Sequence, residues 1–512
     1  MSFLRGTPFN INFFAVLSLL DLLIFLPLLG AAAMAFGAPA RQTALAVAGA
    51  CLALGLYLLA AYDHAAAGMQ FTAFRPILDS PKFGYNVGLD GISLAMVLLT
   101  VLVLFAAVWV KPGRVGGEKM YYASILLLAA GAAGAFISTD LVFFYAFHEL
   151  ALIPTFLMIG MRGTGENREA AWKITIYLGL GSVILLAGLA WLTVAAGHGA
   201  LSFDMQDLRA GASTLDAGTQ ANLYALLLIG FGVLISLFPF HSWAPQAYAS
   251  APLPITMLHA GVLKKFGLYG LLRIAPMLPE GAATEWVQKL LLLLLLGNIL
   301  FVGFVTIAQK ELDMVLANSS VMHMGYIFLG IASGSAIGYG GAVMLMFAHG
   351  VSIALLFALA TAVRERTGTL QFHRLGGLAA HAPFLGVTFA MGAFASIGLP
   401  GFANFAGEIN IFFGAFDHWD HTQPLGLLQW TTILALWGVV MSAVYMLRAF
   451  RRVFKGEVSE ISARGSDLTG AERLPAVLLL AALLAVGFVP GLLMNAIKPA
   501  VESLVPMATP KR

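Results

Sequence analysis

Apolar residues run through this sequence in blocks of about twenty, separated by short polar stretches rich in Gly, Pro and charged side chains. A block of this length matches one helical crossing of a bilayer, which takes ~20 residues. The alternating apolar and polar pattern of a membrane β-barrel is absent. The pattern predicts about fourteen helical spans, at 14–36, 42–62, 86–110, 118–137, 140–160, 172–196, 220–240, 252–275, 285–308, 313–333, 338–362, 383–416, 427–450 and 474–496.

Composition agrees with a chain that lies in lipid. Of 512 residues, 60% are hydrophobic and 10% are charged, whereas a soluble domain carries about 25% charged residues. Because a helix satisfies its own backbone hydrogen bonds in hydrocarbon, we predict an all-α polytopic membrane protein. The first block follows Arg5 and could be a signal peptide, but we expect a retained helix. The net charge of +3 gives no argument for nucleic acid.

Basic residues gather in alternate loops. Loops after odd-numbered spans carry Arg41, Lys111, Arg114, Lys119, Arg162, Arg168, Lys310, Arg364, Arg366, Arg374, Arg451, Arg452 and Lys455. Loops after even-numbered spans carry Asp140, Asp204, Asp207, Asp216, Glu280, Asp417 and Asp420. The main exceptions are Lys82, Arg209 and Arg273. The positive-inside rule then predicts that the odd loops are cytoplasmic and that both termini lie on the other side.

Two spans contain helix-breaking residues. Span seven ends in Leu237-Phe-Pro-Phe-His241, and span twelve contains Gly398-Leu-Pro-Gly401. Pro removes a helix donor and Gly loosens the backbone, so both spans should be interrupted. The breaks are five spans apart, so equivalent helices would point in opposite directions. Paired interrupted helices in inverted repeats indicate a transport site near the midplane; the alternative is that Pro and Gly serve packing alone.

Several ionisable side chains lie inside the predicted spans, where a charge costs at least ~2.5–3.5 kcal/mol. They are Glu149, Lys264, Lys265, His323, His349 and Glu408. Buried carboxyl, amine and imidazole groups can change protonation state near neutrality, so we predict that these six carry protons or ions. The alternatives are a static ion pair for the carboxylate, lysines that reach the interface, and structural polar contacts for the histidines.

Redox and metal chemistry find little support in this chain. Cys51 is the only cysteine, and an iron–sulfur cluster needs about four thiolates. Neither a GxGxxG nor a GxxxxGK[ST] motif is present. His148 and Glu149 do not begin an HExxH motif, because residue 152 is Leu152, and metal binding by His323 and His349 is a weak alternative. We therefore expect no cofactor and no metal, with any redox step carried out by another chain.

Several of these segments together resemble the antiporter-like membrane subunits of respiratory complex I, and most of all the M-type subunit. The matching stretches are Leu237-Phe-Pro-Phe-His-Ser-Trp-Ala-Pro245, Ala260-Gly-Val-Leu-Lys-Lys-Phe-Gly-Leu-Tyr-Gly270, Ala317-Asn-Ser-Ser-Val-Met-His-Met-Gly325, His349-Gly350 and Gly398-Leu-Pro-Gly-Phe-Ala-Asn-Phe-Ala-Gly-Glu408. The resemblance implies N-terminal spans at 1–112, inverted repeats at 113–276 and 277–456, and a final span and tail at 457–512. It also implies a polar axis through Glu149, Lys265, His323, His349 and Glu408.

Glu408 favours the M type, because the other antiporter-like types typically carry Lys there. The chain also ends about sixteen residues after the last predicted span, which leaves no room for the long lateral helix of the L type. The sequence departs from the family at Leu234, where a lysine usually pairs with the span-five glutamate. Lys264 stands at a usually apolar position, and we predict that it replaces that lysine as the partner of Glu149.

A second departure lies in the loop that follows span seven, where Gln246, Tyr248 and Ser250 stand at positions that often carry Asp, His and Glu in relatives.

The resemblance implies a proton-translocating subunit of an NADH:quinone oxidoreductase in the inner or plasma membrane, driven by redox chemistry in other subunits. Its expected partners are antiporter-like neighbours on both sides and membrane lipids. One alternative is a subunit of a cation/proton antiporter or membrane-bound hydrogenase of the same fold. Another is a structural membrane subunit that no longer pumps, a reading to which Leu234 lends weight.

Overall fold

The protein is described from a computed structural model that covers residues 17–66, 68–110, 117–197, 199 and 201–505. It is predominantly helical, which confirms the predicted class. In the first half the helices are α1 Leu19–Ala35, α2 Ala40–Ala61, α3 Gly91–Trp109, α4 Glu118–Ile137, α5 Leu141–Arg162, α6 Asn167–Ala196, α7 Met205–Ala212, α8 Ala217–Ile235, α9 Trp243–Ser250, α10 Leu253–Leu258 and α11 Lys265–Ile274. In the second half they are α12 Pro279–Ala283, α13 Glu285–Leu296, α14 Val302–Ala308, α15 Leu312–Ala332, α16 Ala336–Thr367, α17 Pro383–Ile397, α18 Ala403–Gly414, α19 Leu427–Phe454, α20 Gly470–Phe488 and α21 Gly491–Leu504.

Eleven helices in the described ranges are long and apolar enough to cross a membrane, with the α13–α14 segment counted as one. Three further predicted spans are present as shorter or broken elements: α1, α10 with α11, and α17 with α18. The π-helical segments His259–Leu263 and Gly297–Phe301 join α10 to α11 and α13 to α14. The number of spans, about fourteen, stays a prediction.

A β-hairpin that the sequence analysis did not predict follows α2. Strands β1 (Gln70–Asp79) and β2 (Lys82–Leu89) pair antiparallel, so α3 begins at Gly91 and the predicted start of span three at residue 86 is wrong. The hairpin is held by the buried carboxylate of Asp21 in α1, which accepts from Arg75 Nη2 at 2.6 Å and from Tyr85 Oη at 2.8 Å.

The last predicted span, 474–496, is also wrong at its end. Helix α20 stops at Phe488, and Val489 and Pro490 separate it from α21. Pro lacks the backbone N–H that would continue the helical hydrogen-bond ladder. The following residues form a second, shorter helix instead of the end of a span.

Both predicted helix interruptions are present. Helix α8 ends at Ile235, and Ser236 adopts a left-handed conformation with φ of 65°. Helix α17 ends at Ile397, where Gly398 has φ of +80°, and α18 begins at Ala403. A left-handed residue at the C-terminus of a helix turns the chain out of the helical path, so each break divides the chain into two helices, the long α8 with the short α9 and the shorter pair α17 and α18.

Helix α16 lies at the centre of the molecule. Its most apolar stretch is completely buried, and it packs against α3, α15, α17, α18, α20 and α21. A helix that is apolar on all sides needs neighbours or lipid on every face, and here other helices of the same chain supply them. His349 therefore lies inside protein and not against lipid.

Loops alternate between two faces of the molecule. One cavity of about 310 Å³ is lined by residues that follow odd-numbered spans, among them Arg41, Trp109, Glu365 and Leu468. A second cavity of about 300 Å³ is lined by residues that follow even-numbered spans, among them Met69, Ser138, Asp204, Met277 and Leu504. The alternation expected from the span order is therefore present, whereas the side of the membrane to which each face belongs is not shown.

The three basic exceptions to the loop-charge pattern all have partners. Lys82 Nζ lies 2.8 Å from Asp207 Oδ2, and Arg209 donates to the carbonyl oxygens of Ser503 and Leu504 near the end of α21. Arg273 is buried in an ion pair with Asp90. Carboxylates thus neutralise the charges of Lys82 and Arg273, whereas Arg209 is bound by uncharged carbonyl oxygens. The predicted loop charges Lys111 and Arg114 lie outside the described residues.

Candidate proton-transfer site

The π-helical segment His259–Leu263 leaves a backbone carbonyl oxygen available to the side chain of Lys265. The backbone N–H of Lys264 bonds to the carbonyl oxygen of His259, five residues back, at 3.0 Å. In a regular α-helix it would bond to Ala260. The Ala260 oxygen instead accepts from Lys265 Nζ at 2.7 Å, so the extra residue in this turn provides a buried acceptor for the lysine. Single π turns of this kind are frequent at functional sites.

Lys265 and His349 are in direct contact. Lys265 is fully buried, and its Nζ lies 2.9 Å from His349 Nδ1. An ammonium can donate to this nitrogen, and a neutral amine can accept from it when the ring carries the proton there. The same proton can therefore reside on either group. The contact links α11, in the first half of the chain, to the central helix α16.

His323 extends this contact towards the break in span twelve. Its ring centre lies 5.3 Å from that of His349. His323 Nδ1 is 2.8 Å from the Ser319 carbonyl oxygen, and Nε2 is 2.9 Å from the Ser396 carbonyl oxygen. Both neighbours are acceptors, and only the doubly protonated imidazolium can donate at both nitrogens. Hydrogen bonds to both carbonyl oxygens therefore favour the imidazolium, against the cost of burying its charge.

Glu408 lies beside the break between α17 and α18. It is buried, and its Oε1 atom has no hydrogen-bond partner among the described residues. Gly398, two residues beyond the Ser396 carbonyl that contacts His323, faces the Glu408 carboxyl so closely that a Cβ atom there would collide with it. The broken backbone thus lies between the histidines and the last carboxyl of the predicted axis.

The broken end of α8 is held by Asn298, a fully buried residue of the π-helical segment before α14. Its Oδ1 accepts from the Phe238 N–H at 2.6 Å. Its Nδ2 donates to the carbonyl oxygens of Ser236 and Val321, at 3.1 and 2.9 Å. The bonds to Phe238 and Ser236 satisfy backbone groups that the interruption leaves without helical partners, and the bond to Val321 ties the break to α15.

Glu149 lies apart from the lysines, on an outer groove between α5 and α6. Its side chain is 37% exposed and lies 3.5 Å from His148 Nδ1, and its Oε1 accepts from the Ser182 hydroxyl. Leu234, at the family lysine position, is buried and packs against Gly181, next to that serine. The place next to the Glu149 site is therefore filled by an apolar side chain.

The predicted direct ion pair between Glu149 and Lys264 does not form. Lys264 is 2% exposed, and its Nζ has no hydrogen-bond partner in the described part of the chain. The ammonium lies 5.5 Å from the centre of the Tyr248 ring. His148 does not bridge the two sites by hydrogen bonds, because Lys264 Nζ has no such partner among the described residues, and the His148 ring stacks on Phe266 with centres 3.8 Å apart. The alternative that the lysine side chains reach the membrane interface is also wrong, since Lys264 and Lys265 are both buried.

The structure thus brings together three of the six predicted residues, Lys265, His349 and His323, and places Glu408 beyond the second break. Sequence reasoning did not select Asn298 and Ser182, which carry no signal that distinguishes them from other polar helix residues. Tyr248 was noted only as a departure from the family. Its contact with Lys264 could not be foreseen, because it depends on how α9 folds back after the break.

These features define a polytopic membrane protein with interrupted helices and a buried chain of ionisable side chains. The family described as NADH:quinone oxidoreductase/Mrp antiporter, TM, matches residues 138–445, and the chain belongs to this family. A relative in Rhodobacter capsulatus, NADH-quinone oxidoreductase subunit M, is 34% identical over 509 residues, 95% of this chain and 96% of the relative. NAD(P)H-quinone oxidoreductase chain 4 2 of Microcystis aeruginosa is 36% identical over 429 residues, 83% of this chain and 76% of the relative. A chain of respiratory complex I from Thermus thermophilus has a TM-score of 0.86 and 31% identity, covering 95% of this chain and 99% of that one.

Proposed function

We propose that this chain is the M-type proton-translocating membrane subunit of an NADH:quinone oxidoreductase. The observation that carries the proposal is the buried contact of Lys265 with His349, followed by His323 between two carbonyl oxygens. The curated relatives bear oxidoreductase subunit names over nearly the whole chain length. Redox chemistry in other subunits would supply the energy, and this chain would move the protons.

In this proposal the proton moves along side chains in a fixed order. Lys265 and His349 share a proton through their 2.9 Å contact. His323 holds it between the Ser319 and Ser396 carbonyl oxygens, and Glu408 receives it beyond the break. Charge inside a low-dielectric interior acts strongly over several ångströms, so a change of charge at one site alters proton occupancy at the next.

We also propose the inverted repeats at 113–276 and 277–456, and a membrane orientation with both termini on the non-cytoplasmic side. The two helix breaks, one in each repeat, support the first. The alternation of loops between two faces, with basic residues concentrated on one of them, supports the second.

A second candidate function is a structural subunit whose first repeat no longer transports protons. The observation that favours it is the Glu149 site, where Leu234 takes the lysine position and the carboxylate contacts His148 and the Ser182 hydroxyl. A subunit of a cation/proton antiporter of the same family is a further alternative, because the family description includes Mrp antiporters.

Purification of the native membrane assembly through a tag on this chain tests the proposal. We expect the assembly to contain a nicotinamide-oxidising arm and to reduce quinone with NADH while it acidifies the interior of inverted vesicles. An assembly with only antiporter subunits, or with a hydrogenase, would contradict the assignment. Quinone reduction with a full proton yield after loss of Lys265 would favour the structural alternative.

A further inference from the structure

Lys264 has an environment of its own, separate from both Glu149 and Lys265. Its ammonium lies against the face of Tyr248 in α9, the short helix that follows the break in α8. A cation over an aromatic face is stabilised by the ring's electron density, and more strongly where water is excluded. Both side chains are almost fully buried. The ring thus gives the buried ammonium one stabilising contact in the absence of a carboxylate partner among the described residues.

The Tyr248 ring is held in position by two groups near the π-helical segment. Its Oη lies 3.2 Å from His259 Nδ1, and its backbone carbonyl oxygen accepts from Thr256 Oγ1 at 3.1 Å. Trp243 packs edge-on against both rings, at 6.1 Å from Tyr248 and 5.8 Å from His259. These contacts fix the aromatic face towards the lysine.

Basic groups on the segment of Lys264 itself and on three neighbouring elements act electrostatically on it. They are Lys265 and His259 on its own segment, His241 in the α8 break, His323 on α15 and His349 on α16. All are basic, and no carboxylate in the described residues forms an ion pair with Lys264. A proton on Lys264 therefore repels protons on the Lys265–His349–His323 chain.

We propose that Lys264 is a proton carrier of the first repeat, that the face of Tyr248 stabilises its charged form, and that His259 is the positioning residue for this ring. The three residues, here called the Lys264 cluster, take over the role for which Leu234 is unsuited. This inference rests on the proposed function: the cluster holds a proton at the first break while repulsion favours its release along the chain that starts at Lys265.

The test uses the assembled complex in inverted vesicles, with subunit content measured for every variant. Lys264→Leu should lower the proton-to-electron ratio. Tyr248→Leu removes the aromatic face, and a desolvated contact of this kind changes a proton affinity by roughly 30-fold. In a profile of proton pumping against pH, the decline at high pH should therefore move to lower pH by about 1.5 units. Tyr248→Phe keeps the face and should move it by less than about 0.5 units.

The matched control is Tyr121→Leu, which removes a buried tyrosine of α4 that packs on Tyr122 and should leave the profile unchanged. Tyr248→Met has a more flexible side chain that adapts to the gap and replaces Tyr248→Leu if that variant does not assemble; it should give the same shift. In the background of Lys264→Leu, the Tyr248 substitution should have no further effect on the profile.

A profile for Tyr248→Leu or Tyr248→Met that matches wild type would overturn the inference. So would a full proton yield in Lys264→Leu. A parallel Lys265→Ala variant distinguishes failure of the inference about the Lys264 cluster from failure of the proposed function. If Lys265→Ala lowers pumping while the cluster variants do not, only the inference is wrong. If Lys265→Ala also pumps fully, the proposed function itself is wrong.

Discussion

The buried ion pair between Asp90 and Arg273 gives a quantitative prediction for stability. Arg273 joins α11 to the N-terminus of α3, with Nη1 2.5 Å from Asp90 Oδ2 and Nη2 2.6 Å from Oδ1. Nη2 also lies 2.9 Å from Ser93 Oγ and 3.0 Å from Tyr269 Oη. We expect Arg273→Met to destabilise the folded chain strongly, because it leaves the Asp90 carboxylate buried without its cation.

The expected magnitude follows from these contacts. Removal of one partner of a buried pair costs about 3–5 kcal/mol, mostly from the uncompensated charge left behind. The double variant Asp90→Asn with Arg273→Met removes both charges, and Asn can still accept from the Ser93 N–H that Asp90 caps at 2.9 Å. Its remaining loss is about 1–2 kcal/mol for the neutral hydrogen bonds. The second substitution should thus recover about 1–4 kcal/mol of the first.

Heating of the solubilised complex, followed by measurement of the chain that stays folded and assembled, gives the order of stability. We expect wild type first, the double variant next and Arg273→Met last. The control is Lys289→Met, which removes an exposed pair with Glu285 at 2.5 Å and should change stability very little. A double variant that is no more stable than Arg273→Met would refute the reasoning.

Further predictions concern the two breaks and the orientation. Asn298→Leu should destabilise the chain by about 2–4 kcal/mol through three lost hydrogen bonds, whereas Asn318→Leu, whose amide donates only within its own helix, should cost less in the same heating assay. Gly398→Ala should lower the proton-to-electron ratio because the added methyl group displaces Glu408. The control is Gly334→Ala, because Gly334 also has a positive φ but open space around it, and this variant should pump normally. Equal ratios in the two variants would contradict the assigned role of Glu408. A cysteine in the loop at 368–377 should react with an impermeant reagent only in inverted vesicles, and reaction only in right-side-out vesicles would reverse the orientation.

The sequence predicts the helices well where one physical rule dominates. Long apolar blocks predict the positions of most spans, and Pro239 and Gly398 mark both breaks. The hairpin at 70–89 was missed although Phe83, Tyr85, Val87 and Leu89 alternate with other residues, a period-2 pattern typical of a strand. Only Gly88, Asp90 and Gly91 separate its apolar residues from the next span, so the pattern at 86–110 predicts a single helix.

The site was harder to predict because adjacent lysines on one helix give no information on what each contacts. The π-helical segment before them directs Lys265 to Ala260 and His349, whereas Lys264 meets Tyr248. A change in helical hydrogen bonding of this kind is not visible in residue spacing. The prediction that Lys264 reaches Glu149 assumed that a surplus cation seeks the nearest carboxylate, but an aromatic face from α9 lies in its place.

The proton-to-electron ratio of an assembled Lys265→Ala complex tests the central claim most directly. Lys265 is the residue that joins α11 to His349, and no other side chain in the described structure makes that hydrogen bond to His349 Nδ1. The measurement compares protons moved per NADH oxidised in inverted vesicles with equal amounts of this chain. We predict a ratio clearly below that of wild type, because the buried chain that leads to His323 loses its first member. A wild-type ratio in the assembled variant would contradict the account.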